Sequence, residues 1–366
     1  SQISVDADAC AGDRCRHNRR GECFFYRARR AAENAHIIIV NHALLLSDVA
    51  TEKRVLPPYN YLIVDEAHHL ESAVTHQLGY TVTRRAIESL LTQVTGRHGS
   101  HDGYGGRAVA LCQRRAPEAL MNDLREVVSS FQGTCELVRR GVRDLFEDLT
   151  AFVAEQRGAQ GSYDYRMRVT QGLRVQSYWE QIELAWDGLS ENVQAALEHM
   201  SHVLDLLRSM EGLKIPGYDD LVQDGVALAR QLTTVHQQMD SVLAHPQASD
   251  IVWLQSRAKT DEILLCSVPL RVERLVEQHL LWPKETAVFT SATMRTNGDF
   301  SFIKERLGAA DAEELALGSP FDYESQVLLY LPTDIPEPSQ PYHQRMVNQG
   351  LLELVSATQG RTLVLF

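Results

Sequence analysis

Three stretches of the chain repeat apolar residues every three or four positions, at 117–156, 179–207 and 221–242. Apolar residues at this spacing share one face of an α-helix, so the first stretch predicts one long helix or two in line, and the others one helix each. The apolar faces are interpreted as core, including Trp179 and Trp186. Glycine-bearing segments separate the stretches, as expected for turns between helices.

Shorter continuous apolar runs flank this helical region and predict strands buried in a parallel sheet. A short helix is predicted after Cys23, another over 43–47, and a further helix with a final strand at the C-terminal end. The pattern therefore predicts an α/β fold whose sheet is interrupted by a helical insertion. The predicted strands are 36–42, 61–64, 251–255, 262–270, 285–289 and 362–366.

Asp65 and Glu66 come directly after the strand 61–64. Open α/β sheets bind ligands at the carboxyl ends of their strands, and two adjacent carboxylates there can divide the work of nucleotide hydrolysis. Asp65 would hold the Mg²⁺ of a nucleoside triphosphate, and Glu66 would orient and deprotonate the attacking water. The letters Asp-Glu-Ala-His form a DEAH box. The plainer alternative is a strand whose acidic end is only solvated.

The net charge of −12 argues against a protein that coats nucleic acid with one broad basic face. The segment 14–30 departs from this average, because it holds seven arginines against the single acid Glu22. Its functional interpretation is a phosphate-contacting arm, with bases stacking on nearby aromatic side chains. The alternatives are a solvated helix face for the arginines and core packing for the aromatics. The residues concerned are Arg14, Arg16, Arg19, Arg20, Phe24, Phe25 and Tyr26.

Cys10, Cys15 and Cys23 lie within fourteen residues of each other. No apolar run approaches the ~20 residues of a membrane span and no secretory leader is visible, so the expected location is the cytoplasm. Thiols in that compartment favour a metal centre over disulfides. An iron-sulfur cluster or a zinc ion would each need four ligands; His17 could complete a zinc site, although the spacing is not C-x2-C. Three unrelated thiols remain the plain alternative.

In order along the chain come the cysteines, Cys-Phe-Phe-Tyr-Arg-Ala-Arg, Ile-Ile-Ile-Val-Asn-His and Leu-Ile-Val-Asp-Glu-Ala-His-His-Leu-Glu. This series resembles the DinG branch of the DinG/XPD-like superfamily 2 DNA helicases. The resemblance implies a RecA-like parallel-sheet motor core interrupted by an iron-sulfur segment and a helical arch. It also implies that Cys10, Cys15 and Cys23 are the last three of four [4Fe-4S] ligands, with the fourth outside this chain.

Thr290-Ser291-Ala292-Thr293 ends the strand 285–289 and resembles helicase motif III. Taken alone, its hydroxyls could simply cap the next helix. In the family, Ser291 and Thr293 would connect the hydrolysis site to the nucleic-acid groove, and His68 would do the same from the other side. The expected domains are 1–34 (cluster), 35–80 (first motor domain), 81–248 (arch), 249–318 (rest of the first motor domain) and 319–366 (start of the second).

No G-x-x-x-x-G-K-[ST] sequence occurs in the chain. It is therefore expected to be the interior of a longer protein, inactive by itself. The parent is expected to be a monomeric 5′ to 3′ DNA helicase that hydrolyses ATP with Mg²⁺ and acts on single-stranded or forked DNA away from membranes. The rival interpretations are a non-enzymatic nucleic-acid or protein-binding module of helicase ancestry, and a zinc-bearing nuclease or scaffold in which the DEAH letters are accidental.

Overall fold

The computed structural model describes residues 12, 15–50, 55–96, 102–157, 164–258, 260 and 262–365. Its strands are β1 (Tyr61–Val64), β2 (Tyr80–Thr83), β3 (Tyr165–Arg168), β4 (Asp250–Ser256), β5 (Ile263–Pro269) and β6 (Thr286–Phe289). Its helices are α1 (Arg16–Arg19), α2 (Phe24–Glu33), α3 (His42–Ala50), α4 (Leu70–Leu78), α5 (Arg84–Thr95), α6 (Tyr104–Cys112), α7 (Glu118–Arg157), α8 (Gln171–Arg174), α9 (Ser177–Ser209), α10 (Tyr218–Leu243), α11 (Glu273–Val276), α12 (Ser301–Leu307), α13 (Tyr323–Gln326) and α14 (His343–Ala357). The predicted mixed α/β fold with a parallel sheet and many helices is confirmed.

The parallel sheet consists of β1 and β6, although 221 residues lie between Val64 and Thr286 along the chain. Leu62 and Val64 point from β1 into a core that α3, α4, α11 and α12 complete. Parallel strands require a crossover between them, and here that crossover contains the whole helical region. The core residues of this part are Leu45, Leu46, Leu62, Val64, Ala67, Leu70, Val74, Val272, Val276, Leu280, Ile303 and Leu307.

The helical region is built on three long helices, and each follows an apolar stripe seen in the sequence. The stripe at 117–156 forms the single 40-residue helix α7 rather than two helices in line. Trp179 and Trp186 of α9 are fully buried, which confirms their interpretation as core. Gly141 lets α7 and α9 approach closely, since a Cβ there would lie 2.9 Å from Leu189 Cδ1.

A second sheet of four antiparallel strands in the order β2-β5-β4-β3 packs against these helices. We expected β4 and β5 in the parallel sheet, and this expectation is wrong. An apolar run predicts a strand but does not identify its partner, so 250–269 could not be assigned to a sheet from its composition. The inner face of the sheet contributes Val82, Met167, Val252, Leu254, Ile263 and Leu265 to the helical core.

Two expectations about strand burial are also wrong. Residues 37–41 form no strand, and the side chains of Ile37 and Ile39 are 80% and 92% exposed. β1 is buried on one face only, with Ile63 73% exposed on the other. β-branched residues favour an extended backbone, but burial requires a neighbouring element, and within the described residues none packs on this side.

Residues Glu313–Phe366 form a separate compact unit. It contains α13 and α14, of which α14 matches the helix predicted at 342–358. The strand predicted at 362–366 is wrong for the described residues 362–365, which have no strand hydrogen bonding. Across the described parts of the chain, no helix is both long and apolar enough to cross a membrane.

Candidate active site

Asp65 and Glu66 occupy the tight turn at the carboxyl end of β1, and β6 holds this turn from both sides. The N–H of Thr290 donates to Val64 O at 2.9 Å, while its carbonyl accepts from the N–H of Ala67 at 3.0 Å. Between these two bonds Glu66 adopts a left-handed conformation with φ 50° and ψ 43°. A non-glycine residue in this region is strained, and such strain concentrates at functional sites. The turn presents both carboxylates at the exposed sheet edge.

The side chain of Thr290 orients the Asp65 carboxylate. Its hydroxyl donates to Asp65 Oδ1 at 2.7 Å. This bond, together with one from the Glu66 backbone and the positive potential of His42, lowers the pKa of Asp65 below its ordinary value. A hard, ionised oxygen ligand of fixed orientation suits Mg²⁺, so the residues present fit the role expected of Asp65.

His42 contacts the same turn from the other side. Asn41 caps α3 by accepting a hydrogen bond from the N–H of Leu44 at 2.8 Å, which fixes the first turn of the helix. From that turn His42 Nε2 lies 2.9 Å from the backbone oxygen of Asp65. The sequence patterns alone do not identify His42 or Thr290 as site residues. His42 ends the Ile-Ile-Ile-Val-Asn-His run, but only the fold brings it to Asp65.

Glu66, His68 and Ser291 form a polar cluster between the two strand ends. His68 Nδ1 lies 2.6 Å from Ser291 Oγ and 3.3 Å from Glu66 Oε2. The Ser291 hydroxyl donates to Glu66 Oε2 across a long 3.5 Å and accepts from the N–H of Thr293 at 3.2 Å. Thus His68 and Ser291 both contact the carboxylate of Glu66, which is 58% exposed, and Thr293 is connected to it only through Ser291.

The cysteine-bearing segment is described only in part. Cys10 and Arg14 lie outside the described residues, as does the side chain of Arg16. Cys15 and Cys23 are partly exposed free thiols that flank α1. Among the described side chains, no three His, Cys, Asp or Glu residues are grouped as for a metal ion. His17, considered for zinc, contacts Glu22 through its Nδ1 at 2.9 Å.

The predicted nucleic-acid residues of this segment are at the surface where they are described. Arg19 and Arg20 are exposed, and Phe24 is 81% exposed with Arg27 5.8 Å from its ring centroid. Arg30 instead has a structural contact, because it donates to the buried Asn18 at 3.1 Å.

A cleft of about 510 Å³ separates Arg19 from the start of α10. It is lined there by Lys214, Asp219 and Asp220 as well. The cysteine-bearing segment and the helical region therefore meet at a cleft of mixed charge.

The site is a parallel strand pair that is followed by Asp-Glu-Ala-His after β1 and by Ser-Ala-Thr after β6, an arrangement similar to that of DEAH-box proteins. The DEAD_2 family model matches residues 14–87. The chain is 23% identical over 94% of its length to the protein named 3'-5' exonuclease DinG of Bacillus subtilis. It is 22% identical over its full length to the ATP-dependent DNA helicase YoaA of Haemophilus influenzae, and 26% identical to the ATP-dependent helicase DinG of Mycobacterium tuberculosis.

These matches confirm the resemblance to the DinG-like helicases over the whole chain. The chain spans 37%, 49% and 47% of the three relatives, so it corresponds to half of their length or less.

Proposed function

We propose that this chain is part of an ATP-dependent DNA helicase and carries the residues that activate water for ATP hydrolysis. The observation that carries the proposal is the turn at the end of β1, where Asp65 and Glu66 are exposed side by side. The backbone of Thr290 forms hydrogen bonds on both sides of this turn. Ligands of open α/β sheets bind at this edge.

Asp65 would hold Mg²⁺, with Thr290 keeping its carboxylate oriented. The ion, when bound, neutralises charge on the phosphates. Glu66 would accept a proton from the water that attacks the γ-phosphate, and its exposed carboxylate leaves room for that water. Holding water and phosphate in line is the main contribution a protein makes to phosphoryl transfer.

Ser291, Thr293 and His68 would couple hydrolysis to DNA. The support is the continuous contact from the Thr293 N–H through Ser291 Oγ to His68 and Glu66. A shift of the loop after β6 would therefore change the position of the catalytic carboxylate. In this proposal DNA bound by the motor moves that loop, so Ser291→Ala should keep basal hydrolysis and lose most of its stimulation by DNA.

Single-stranded or forked DNA is the proposed substrate, with 5′ to 3′ movement by a monomeric protein. Arg19 and Arg20 would contact phosphates and Phe24 would stack on a base, as exposed aromatic and basic side chains do in single-strand binding. The cysteine-bearing segment would hold a [4Fe-4S] cluster and act as a wedge, and the helical region would serve as the arch. The cleft between Arg19 and α10 supports a strand path between the two.

The test is Glu66→Gln in the intact protein, measured by DNA-stimulated ATP hydrolysis and by unwinding of a forked duplex. The amide keeps the shape of the side chain but cannot accept the proton, so hydrolysis should fall by about two to four orders of magnitude while ATP binding remains. The matched control is Glu71→Gln, which removes a carboxylate that pairs with Arg306 at 3.4 Å. Unchanged hydrolysis in Glu66→Gln would remove Glu66 as the base, and an inactive wild-type protein would favour the non-enzymatic alternative.

A further inference from the structure

The four-stranded antiparallel sheet has a second face that neither hydrophobic core includes. Cross-strand partners share a face, and the register places Arg168, Trp253, Cys266 and Thr81 in one row across all four strands. Strands lie about 4.8 Å apart, so the row is about 14 Å long. The adjacent row contains Arg166, Gln255, Leu264 and Thr83. We call these two rows the outer sheet face.

The outer sheet face is basic along its β3 edge, whereas Leu264 and Cys266 on the inner strand β5 are buried. Arg166 and Arg168 are exposed on the edge strand β3, and Trp253 is partly buried beside them. Arg166 Nε donates to Gln255 at 3.1 Å, which holds its guanidinium against the sheet. Arg257, next in the alternation of β4, pairs with Glu262 at 3.5 Å. The β3 side of the face therefore combines exposed cationic groups with the partly exposed ring of Trp253.

Two of these arginines also influence the thiol of Cys266 on the inner strand β5. Burial raises the pKa of the Cys266 thiol, and Arg166 and Arg257 act in the opposite direction, as does a contact with Thr81. Thr81 Oγ1 lies 3.8 Å from Cys266 Sγ. The arginines on β3 and after β4 therefore place positive charge near the row that contains Trp253 and Cys266.

The outer sheet face also adjoins the end of the helix that begins in the DEAH turn. α4 runs from that turn to Gly79, just before β2. A Cβ at Gly79 would lie 2.6 Å from Val268 Cγ1 and 2.9 Å from Thr75 O, so α4 ends in direct contact with β5. A ligand bound on this face would therefore act on α4, the helix that follows Asp65 and Glu66 along the chain.

We propose that the outer sheet face is a binding surface for single-stranded DNA. A sheet edge that offers a partly exposed aromatic ring beside two exposed arginines suits a flexible strand, because unpaired bases can stack while phosphates meet the guanidinium groups. Duplex DNA keeps its bases stacked internally and cannot use Trp253 in this way. The inference rests on the proposed DNA-dependent function and adds to it a contact far along the chain from the arginines of the cysteine-bearing segment.

The test measures binding of fluorescein-labelled oligo(dT)15 by the intact protein without ATP, by fluorescence anisotropy at several salt concentrations. Arg166→Gln/Arg168→Gln should raise Kd about tenfold and reduce the salt slope by about one to two. Trp253→Leu should raise Kd about five- to tenfold and leave the slope unchanged, since stacking releases no counterions. The control Arg140→Gln/Arg143→Gln removes equal charge from an exposed face of α7 and should bind as wild type.

Wild-type affinity in the β3 arginine pair would overturn the proposal, as would an equal loss for a 15-base-pair duplex. The arginine pair keeps the test decisive if Trp253→Leu lowers stability, because both guanidinium groups are exposed. Failure of this proposal differs from failure of the proposed function. The Glu66→Gln variant should bind oligo(dT)15 normally but not hydrolyse ATP. The outer-face variants should instead bind oligo(dT)15 more weakly while the DEAH turn is unchanged.

Discussion

Thr290 shows how one side chain sets the properties of the Asp65 carboxylate. Its hydroxyl is the largest cause of the lowered pKa of Asp65, so this group stays ionised at more acid pH than an ordinary aspartate. A depressed pKa contributes stability above the ordinary value, and the contribution is lost as pH falls through the folded-state value. In the role proposed for Asp65, the same bond would favour binding of Mg²⁺ at mildly acid pH.

Thr290→Val should raise the pKa of Asp65 toward its ordinary value, because the hydrogen bond to Oδ1 is lost while the volume is kept. We expect the acid limb of the kcat/KM profile for ATP to move to higher pH and the Mg²⁺ requirement to increase. The control is Thr286→Val, an exposed position at the other end of the same strand. An unmoved acid limb would contradict the role given to Thr290.

At these positions the sequence identified the chemical groups but not all of their partners. Asp65, Glu66 and His68 belong to the Asp-Glu-Ala-His motif, and Ser291 belongs to the Ser-Ala-Thr motif at the end of a strand. All four residues could therefore be predicted from the sequence. His42 and Thr290 could not, since their roles depend on a parallel pairing across more than 200 residues and on a left-handed turn at Glu66. The sequence does not specify that conformation at a glutamate.

Among the elements, the C-terminal end of α10 is held by Arg174. Its guanidinium donates to the carbonyls of Val242 and Leu243, each at 2.6 Å, and lies 3.4 Å from Glu183. These carbonyls have no partner within the helix, so a cation there satisfies them and complements the helix dipole.

Arg174→Ala should reduce the free energy of unfolding by about 2 to 3 kcal/mol, because a charged donor with only 11% exposure is removed. Arg174→Lys should recover part of this, since one ammonium replaces a planar fork. Arg208→Ala removes the exposed pair with Asp205 and should cost less than about 1 kcal/mol. Urea denaturation of the three variants checks the order, and equal losses for Arg174 and Arg208 would contradict it.

Gly225 of α10 makes close helix packing possible in the same region. A Cβ there would collide with Tyr104 and lie 2.8 Å from Leu204 Cδ2. Gly225→Ala should therefore destabilise the protein by about 1 to 3 kcal/mol. Gly133→Ala in α7, where a Cβ would meet nothing within 4 Å, should stabilise it by up to about 1 kcal/mol. Shifts of the same sign in thermal unfolding would contradict this account.

The elements also show where periodicity is informative. The stripes of α7, α9 and α10 predict helices and their buried faces, because an amphipathic helix is defined by local spacing. The run at 37–41 forms no strand, and the strands predicted at 251–255 and 262–270 form but belong to the antiparallel sheet, because strands depend on partners that lie elsewhere in the chain. The antiparallel sheet has no local signature that distinguishes it from the parallel one.

At the scale of the whole molecule, a further prediction concerns the metal cluster proposed for the cysteine-bearing segment. Its support is the residue composition of that segment. If Cys15 is a cluster ligand, Cys15→Ser in the intact protein should lose iron and the broad absorbance near ~400 nm. Cys266→Ser is the control, because that thiol is buried on the outer sheet face and should leave iron unchanged. Full iron content in Cys15→Ser would exclude this ligand, and bound zinc without colour would favour the zinc alternative.

The whole molecule joins the DEAH turn to the helical region through α4 and back through β6. In the proposed function, motor action would require that hydrolysis at Glu66 changes the structure along this path. It would therefore depend on the action of Asp65 and Glu66 on a nucleotide.

Single-turnover hydrolysis tests most directly whether the two carboxylates act on a nucleotide. The intact Glu66→Gln protein is loaded with radiolabelled ATP, chased with excess unlabelled ATP in the presence of Mg²⁺ and single-stranded DNA, and phosphate release is followed. We predict that the variant retains bound ATP and releases labelled phosphate at least about a hundredfold more slowly than wild type or Glu71→Gln. Phosphate release at the wild-type rate from bound ATP would contradict it.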